Sequence, residues 1–525
     1  MPRQRIAAAL LTLGLLGACG PSAQQQIEAR TRTFLGGVVA DEPRAALAGL
    51  RALEQGGTAA DAVVATFFAL TVTYPVAAGI GGGGVCLAYD GLGRIAESID
   101  FLPREAEAGG TIAVPGSVRG MAAVHARFGR LRWTQVVQPG EELARFGHDA
   151  SRALARSVDA YVTTTGNTNL GRLTPGGNRP GEGQRIEQPE LADLLALIRA
   201  RGAGDLYGGE AGRAFVDATS VGGGRVSMED LRRFLPEWTR STRADLGVLG
   251  FHTAPGPASG GPLASMIWTM VTDQQRYVRA NAEERAHLMA EAIVRAFGDR
   301  AAGAELSAFR SATLMNGFDF ARRTGSTNPA PVDLSPWANA GSDGSTSLVA
   351  VDRVGNAIAC SLTMNAPFGV GRLAAVLGTF PAPARPLGPP GWLRTGSDYL
   401  TPALLTNTQT GELVVAMAAN GGPAAAPAAV TIALRGVIDA QPLPVSLATP
   451  RILATARPDK VFVEAGTDPG VRAGLTRRGH VVEEGRQFGQ VAAILCFGGL
   501  RLDPLGCQFA SDRRGFGLAT GGTGP

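Results

Sequence analysis

Two strand-forming runs joined by a tight turn constrain this chain more than any other feature. Asp343-Gly-Ser-Thr-Ser-Leu-Val-Ala-Val-Asp352 and Ala357-Ile-Ala-Cys-Ser-Leu-Thr-Met-Asn365 are rich in β-branched and small apolar residues, with Arg353-Val-Gly-Asn356 between them. Gly355 suits the left-handed position of a three-residue loop, so Asp352 and Asn356 close the turn of a β-hairpin. Facing positions in an antiparallel pair keep a constant sum, which sets Ser345 opposite Thr363. Side chains so paired stand about 4.5–5.5 Å apart between Cβ atoms. Asn365 shares a face with Thr363, so two hydroxyls and an amide gather at one end of the hairpin.

Ser345 heads its strand directly after a glycine. Cleavage of the Gly344–Ser345 bond would leave one residue with a nucleophilic Oγ and its own α-amine. Such an amine has a pKa of about 7.7–8.0, so a useful fraction is neutral near pH 7 and can serve as base for the hydroxyl. No histidine is required. Taken alone, these residues are more often ordinary polar positions at a strand edge.

The wider pattern changes that balance. The stretch resembles the start of the small subunit in the γ-glutamyltranspeptidase family of N-terminal nucleophile hydrolases, which opens on Thr-Thr-His, turns at Gly-Asn and ends on Thr-x-Asn. Asp352, Gly355, Asn356, Thr363 and Asn365 match without a gap, whereas Ser345 replaces the family's threonine and Ser347 its histidine. The resemblance implies Ser345 as nucleophile and, through its freed amine, as base. It further implies Thr363 steadying the nucleophile and Asn365 holding substrate or amine.

The chain begins with a secretion signal: Arg3 and Arg5, the apolar Ile6–Leu16, and Leu16-Gly-Ala-Cys19. That ending resembles a bacterial lipobox. It implies a leader over residues 1–18, a lipidated Cys19, and a body tethered on the periplasmic side of a bacterial cell envelope. The apolar run is too short to span a bilayer. Net charge is +4, with no basic run carrying interleaved aromatics, so no nucleic-acid partner is expected. Cys496 and Cys507 flank a glycine-rich turn and are expected to bridge in an oxidising compartment. Cys86 and Cys360 lie in apolar strands and read as buried small hydrophobes.

After a strand at Val38, Asp41-Glu-Pro43 opens a helix with an apolar face of Leu47, Leu50 and Leu53. Thr58 caps a second helix over residues 59–72. Gly79-Ile-Gly-Gly-Gly-Gly84 satisfies a dinucleotide pattern formally, but a strand follows it rather than the required helix, so no nucleotide is expected there. His287 and Glu291 stand at i and i+4 without a third ligand, so neither metal nor other cofactor is expected. Residues 301–339 are polar and rich in Gly and Pro, a connection leading to the cleavage point. Ala418-Ala-Asn-Gly-Gly-Pro423 follows a strand and precedes a helix, and backbone N–H groups there can hold an oxyanion.

The family resemblance extends through that helix, glycine run and strand near the start. It continues in Ala113-Val-Pro-Gly116, Phe128-Gly-Arg-Leu131, Ser227-Met-Glu-Asp-Leu231, Pro255-Gly-Pro-Ala-Ser-Gly-Gly261 and His287-Leu-Met-Ala-Glu-Ala292, and covers most of residues 38–422. It implies an α+β four-layer αββα sandwich made of a large segment, 19–344, and a small segment, 345–525, forming a heterodimer once cut. It also implies an oxyanion hole at Gly421 and Gly422. Recognition of a γ-glutamyl head departs from the pattern. Arg104 is displaced from the position of the family's carboxylate-binding arginine, Leu377–Ala384 carries no acid, and Asp398 stands in a region where the family has Ser-Ser. Arg104 and Asp398 are therefore the candidates for substrate contacts. The expected activity is transfer or hydrolysis of a small γ-glutamyl amide. The alternatives are an acylase of the same fold with another acyl group, and a catalytically silent scaffold lipoprotein.

Overall fold

The computed structural model describes residues 34–301 apart from 222, 257 and 259, together with 313–326, 344–384 and 396–523. The segment expected to be a leader, with Cys19, and most of the 301–339 connection lie outside the described residues.

Two antiparallel sheets form the centre. The first runs, in spatial order, Leu518–Thr523, Phe34–Ala40, Ser345–Asp352, Ala357–Thr363, Gly83–Asp90, Ile95–Asp100 and Glu237–Arg240. The second runs Gln508–Ala510, Gln490–Leu495, Leu413–Asn420, Thr401–Asn407, Leu249–Thr253 and Thr242–Leu246. Period-two alternation divides each central strand between two cores. Val349 and Val351 join Leu404, Ala416, Ala418 and Ile494 between the sheets, while Leu348 and Ala350 face the helices. Helices Pro43–Glu54 and Ala59–Thr73 cover the first sheet, and Gly260–Thr272 and Ala425–Val437 cover the second. The expected αββα order is present.

The expected hairpin register is also present. Ser345 pairs with Thr363, the Asp352 N–H donates to the Asn356 carbonyl at 3.0 Å, and Gly355 takes φ +95°. The Asp352 carboxylate accepts the N–H groups of Val354, Asn356 and Ala59, which ties the hairpin turn to the start of the 59–73 helix. Thr58 caps that helix in a reciprocal box with Asp61.

Two expectations need correction. Leu53 is buried as expected, but Leu47 is 41% exposed, and the rest of the buried face of the 43–54 helix is Ala45, Ala46, Ala48, Gly49 and Ala52. Small residues let the helix lie close on its neighbours, as the Thr66 hydroxyl shows at Gly49. Cys86 and Cys360 are bonded rather than free, because strand 357–363 lies beside strand 83–90 in a register that sets these two cysteines directly opposite. Cys496 and Cys507 bridge as expected.

Candidate active site

Ser345 opens its strand on the inter-sheet side, 5% exposed, at the floor of a cavity of about 690 Å³ that Asn420 and Gly421 also line. Gly344 before it has φ +76°, and a Cβ there would lie 2.2 Å from the backbone carbon of Ala366, so only glycine fits ahead of Ser345. The Gly344 carbonyl oxygen accepts the Met364 N–H at 2.8 Å and the Thr363 hydroxyl at 3.3 Å. The hairpin thus places two donors on the carbonyl of the peptide bond that joins Gly344 to Ser345.

Asn365 follows the strand with φ +61°, a conformation asparagine tolerates. Its N–H donates to Thr363 Oγ1 at 2.8 Å and its Nδ2 to the Pro383 carbonyl at 2.9 Å, while its buried Oδ1 has no partner among the described residues. Gly421 and Gly422 have φ +99° and +66° at the turn that leads into helix 425–437. A Cβ on Gly421 would meet the Gly489 Cα at 2.9 Å. Two successive left-handed residues at a helix entry make a turn whose N–H groups suit an anion.

Asp398 is buried in the 396–399 turn, which packs on the 422–424 turn. Arg104 donates to Glu237 at 2.8 Å and its guanidinium lies 5.0 Å from the centre of the Phe234 ring. Like Asp398, Thr363 and Asn365, it does not line the Ser345 cavity.

Sequence reasoning missed the group behind Ser345. Asp41 Oδ2 accepts from the Thr346 hydroxyl, the Ser347 N–H and Asn420 Nδ2, each at 2.9 Å. Asn420 Nδ2 also donates to Ser347 Oγ at 3.0 Å. One buried carboxylate therefore joins strand 345–352 to the strand that delivers Gly421. Burial pushes its pKa up to about 6, partly opposed by these three donors. The only sequence signal was an Asp before a helix, which reads equally well as part of a helix start.

His480 completes a buried cluster with His287 and Glu291, ligand atoms lying within 4.8 Å of one another. The cluster is satisfied internally. His287 Nε2 must donate to the Asp319 carbonyl at 2.9 Å, so its Nδ1 accepts from His480 Nε2 at 2.8 Å. Glu291 is taken by Arg295, the Thr324 hydroxyl and the Gly325 N–H. Burial lowers both imidazoles, His480 to about 4.

Comparison with known proteins places this geometry. The sequence profile of the gamma-glutamyltranspeptidase family matches residues 45–380 and 394–521. The glutathione hydrolase proenzyme of Pseudomonas aeruginosa is 28% identical over 369 residues, covering 64% of this chain and 65% of its own length. The acylase ACY 1 proenzyme of Pseudomonas sp. strain V22 is 29% identical over 368 residues, covering 64% and 66%. The chain thus spans slightly less than two thirds of these relatives' lengths. The crystal structure of cephalosporin acylase from Bacillus halodurans superposes with a TM-score of 0.76 at 20% identity over 97% of this chain and 99% of that one, which shows a shared fold. No helix among the described residues is long and apolar enough to cross a membrane. With the profile matched along most of its length, the chain belongs to the gamma-glutamyltranspeptidase family.

Proposed function

We propose that the chain cuts itself between Gly344 and Ser345 and then acts as an N-terminal serine transferase or hydrolase of small amides, with γ-glutamyl amides as substrate class. The observation that carries this reading is the pair of donors, Thr363 Oγ1 and the Met364 N–H, on the Gly344 carbonyl oxygen beside Ser345. In processing, Ser345 Oγ adds to the Gly344 carbonyl carbon and the two donors hold the oxyanion. The C–N bond breaks, the nitrogen leaves as the Ser345 α-amine, and water hydrolyses the resulting ester to a Gly344 carboxylate.

In turnover the α-amine takes the Oγ proton as Oγ adds to the substrate carbonyl, with Gly421 and Gly422 as oxyanion donors. The amine proton passes to the departing amine, and water or a second amine then releases the acyl group. Asn365 Oδ1 is placed to accept from a substrate ammonium or the new α-amine, which would fill its open valence. Residues 19–344 and 345–525 would be the two subunits, with Cys19 as lipid anchor in a bacterial envelope. Labelling with radioactive palmitate, lost in Cys19→Ala, tests the anchor.

A second reading keeps the chemistry and changes the acyl group. Leu377, Phe380 and Ala382 are buried in the segment where the family carries an acid, which suits a less charged acyl chain, and one relative is named an acylase. Intact-mass spectrometry under reducing conditions tests the common core. Fragments ending at Gly344 and starting at Ser345, absent in Ser345→Ala, support both enzymes. A chain that stays whole with no acyl adduct at Ser345 overturns them in favour of a scaffold. Product release from γ-glutamyl anilide but not from neutral acyl anilides favours the first reading over the second.

A further inference from the structure

The central hairpin has two ends, and the candidate site stands at one of them. Ser345 and Thr363 pair at the open end, while Asp352 and Asn356 close the other. At about 3.3 Å per residue, the Gly355 turn lies about 23 Å from Ser345. Strand pairing brings four more connections to the closed end. The 91–94 turn arrives because Tyr89 pairs with Ala357, and the 408–411 turn because Tyr89 Oη donates to the Gly411 carbonyl at 2.6 Å. The loop after Cys496 follows, since the Cys496 N–H donates to the Val414 carbonyl at 2.8 Å, and the Thr408 N–H brings in the 247–248 turn by donating to the Val248 carbonyl at 2.8 Å.

These connections touch. A Cβ on Gly91 would lie 2.5 Å from the Gly355 backbone, the Arg94 side chain lies against Gly411, and the Arg501 side chain lies against Gly355. Their apolar side chains nevertheless stay uncovered. Leu92, Ile95, Val248, Phe497, Leu502 and Leu505 are six of the fifteen large hydrophobic residues left exposed among the described residues, Leu92 by 73% and Leu502 by 68%. A scattered apolar residue needs no explanation, but a concentration on adjoining loops marks a surface that something covers. Arg94 and Arg353 are exposed in the same turns and make no ion pair among the described residues. The acids there, Asp90 and Asp503, are turned onto N–H groups of their own loops.

What covers this end follows from where the chain enters it. Gly36 pairs with Asp352, so strand 34–40 starts at the closed end, and the segment from Cys19 joins the body there. That segment reaches at most about 50 Å when fully extended, and it carries Arg30 and Arg32 just before Phe34. A body of this size has a radius of about 30 Å. A tether that short, leaving from the apolar end, holds that end toward the membrane.

We propose that the closed end of the sandwich docks on an anionic lipid surface, with Leu92, Ile95, Leu502 and Leu505 among the head groups and Arg94 and Arg353 on the phosphates. The cavity above Ser345 then opens away from the membrane and draws its substrates from solution. The proposal rests on the reading of Cys19 as an anchor for the choice of surface, but insertion of the loops can be measured apart from it. Apolar side chains buried at the head-group boundary and cations on anionic lipid act together in such docking.

The test uses the full-length chain carrying Leu92→Cys or Val376→Cys, labelled with an environment-sensitive fluorophore, on vesicles of phosphatidylcholine and phosphatidylglycerol that hold a spin-labelled quencher in their acyl region. Val376 is exposed at the Ser345 end, beside the bridge between Gly81 and Pro381, and serves as the distal position. The four cysteines of the body are bridged, and the unsubstituted chain treated alike supplies any background from Cys19. Docking predicts quenching of about twofold or more at position 92 and none at position 376. The quenching should fall to background in Ile95→Ser/Leu502→Ser/Leu505→Ser and weaken at high salt. Equal quenching at both positions overturns the orientation. No quenching at position 92 overturns docking, and palmitate labelling of the same protein then shows whether the anchor stands without it. Quenching at position 92 in a chain that takes up no palmitate supports docking without the anchor. A spectral shift at position 92 that grows with protein concentration in the absence of vesicles marks a contact between copies and overturns the lipid assignment.

Discussion

At the scale of single residues, Asp41 and Thr363 hold the candidate site from opposite sides of strand 345–352. The Asp41 pKa is raised from 3.8 to about 6, chiefly by burial. A raised carboxyl pKa means that the folded state holds its proton more tightly than the unfolded chain. The stabilisation is complete below the unfolded value and is lost as pH rises through about 6. Asp41→Asn keeps one oxygen for the three donors and removes the charge. Its stability relative to wild type should therefore grow between pH 4 and pH 7, by about 2 kcal/mol at 1.36 kcal/mol per pKa unit. Urea melts at both pH values measure this, and a gap that does not change with pH would remove Asp41 as the titrating group. Thr363→Val keeps the shape and deletes both the donor to Gly344 and the acceptor for the Asn365 N–H. Processing should slow by about 10², and an unchanged cleavage time course would rule the hydroxyl out. Thr363 was legible in the sequence because a tight turn fixes register over a few residues. The role of Asp41 was not, because its partners lie 305 to 379 positions away.

At the scale of elements, the hairpin and the Gly421-Gly422 turn were readable because local rules govern both. Gly355 marks one turn, and a glycine pair between a strand and a helix marks the other. The apolar face of helix 43–54 was misjudged for the converse reason: leucine spacing predicts a stripe, but neighbouring helices and strands decide which stripe is covered. The partner of Arg104 was hidden by the same limit, since strand 237–240, lying beside strand 95–100, supplies the Glu237 that pairs with it. The turn itself can be tested by Gly421→Ala. A side chain there costs about 1–2 kcal/mol for a left-handed backbone and presses on Gly489 at 2.9 Å. The helix behind it is buried and should stay, so the fold survives while the N–H groups shift. Turnover with any accepted amide should fall by about 10²–10³ while the far-ultraviolet circular dichroism stays the same. Full turnover in a folded variant would exclude this turn as the oxyanion hole.

At the scale of the whole molecule, the order of strands joins distant parts of the chain. Strand 83–90 belongs to the segment before Ser345 and strand 357–363 to the segment after it, yet they are hydrogen-bonded neighbours across seven residue pairs. Sequence could supply the four layers through the family resemblance. It could not supply this adjacency from residue patterns, because pairing between strands far apart in the chain leaves no local mark. The bond between Cys86 and Cys360 is the consequence. Both cysteines are fully buried, so the bond closes during folding and reductant reaches it only on unfolding. A cut at Gly344–Ser345 therefore leaves two polypeptides covalently joined. On a denaturing gel without reductant, cut protein should run as one species, and dithiothreitol should split it into a large and a small band. Cys86→Ser should split without reductant, because the other bridge, between Cys496 and Cys507, lies wholly within the later segment. Two bands from wild type under non-reducing conditions would show that the strands pair without the bond. Thiol titration of the denatured, unreduced chain tests the same bond if no cut occurs, since reactive thiols at positions 86 and 360 would contradict the pairing directly.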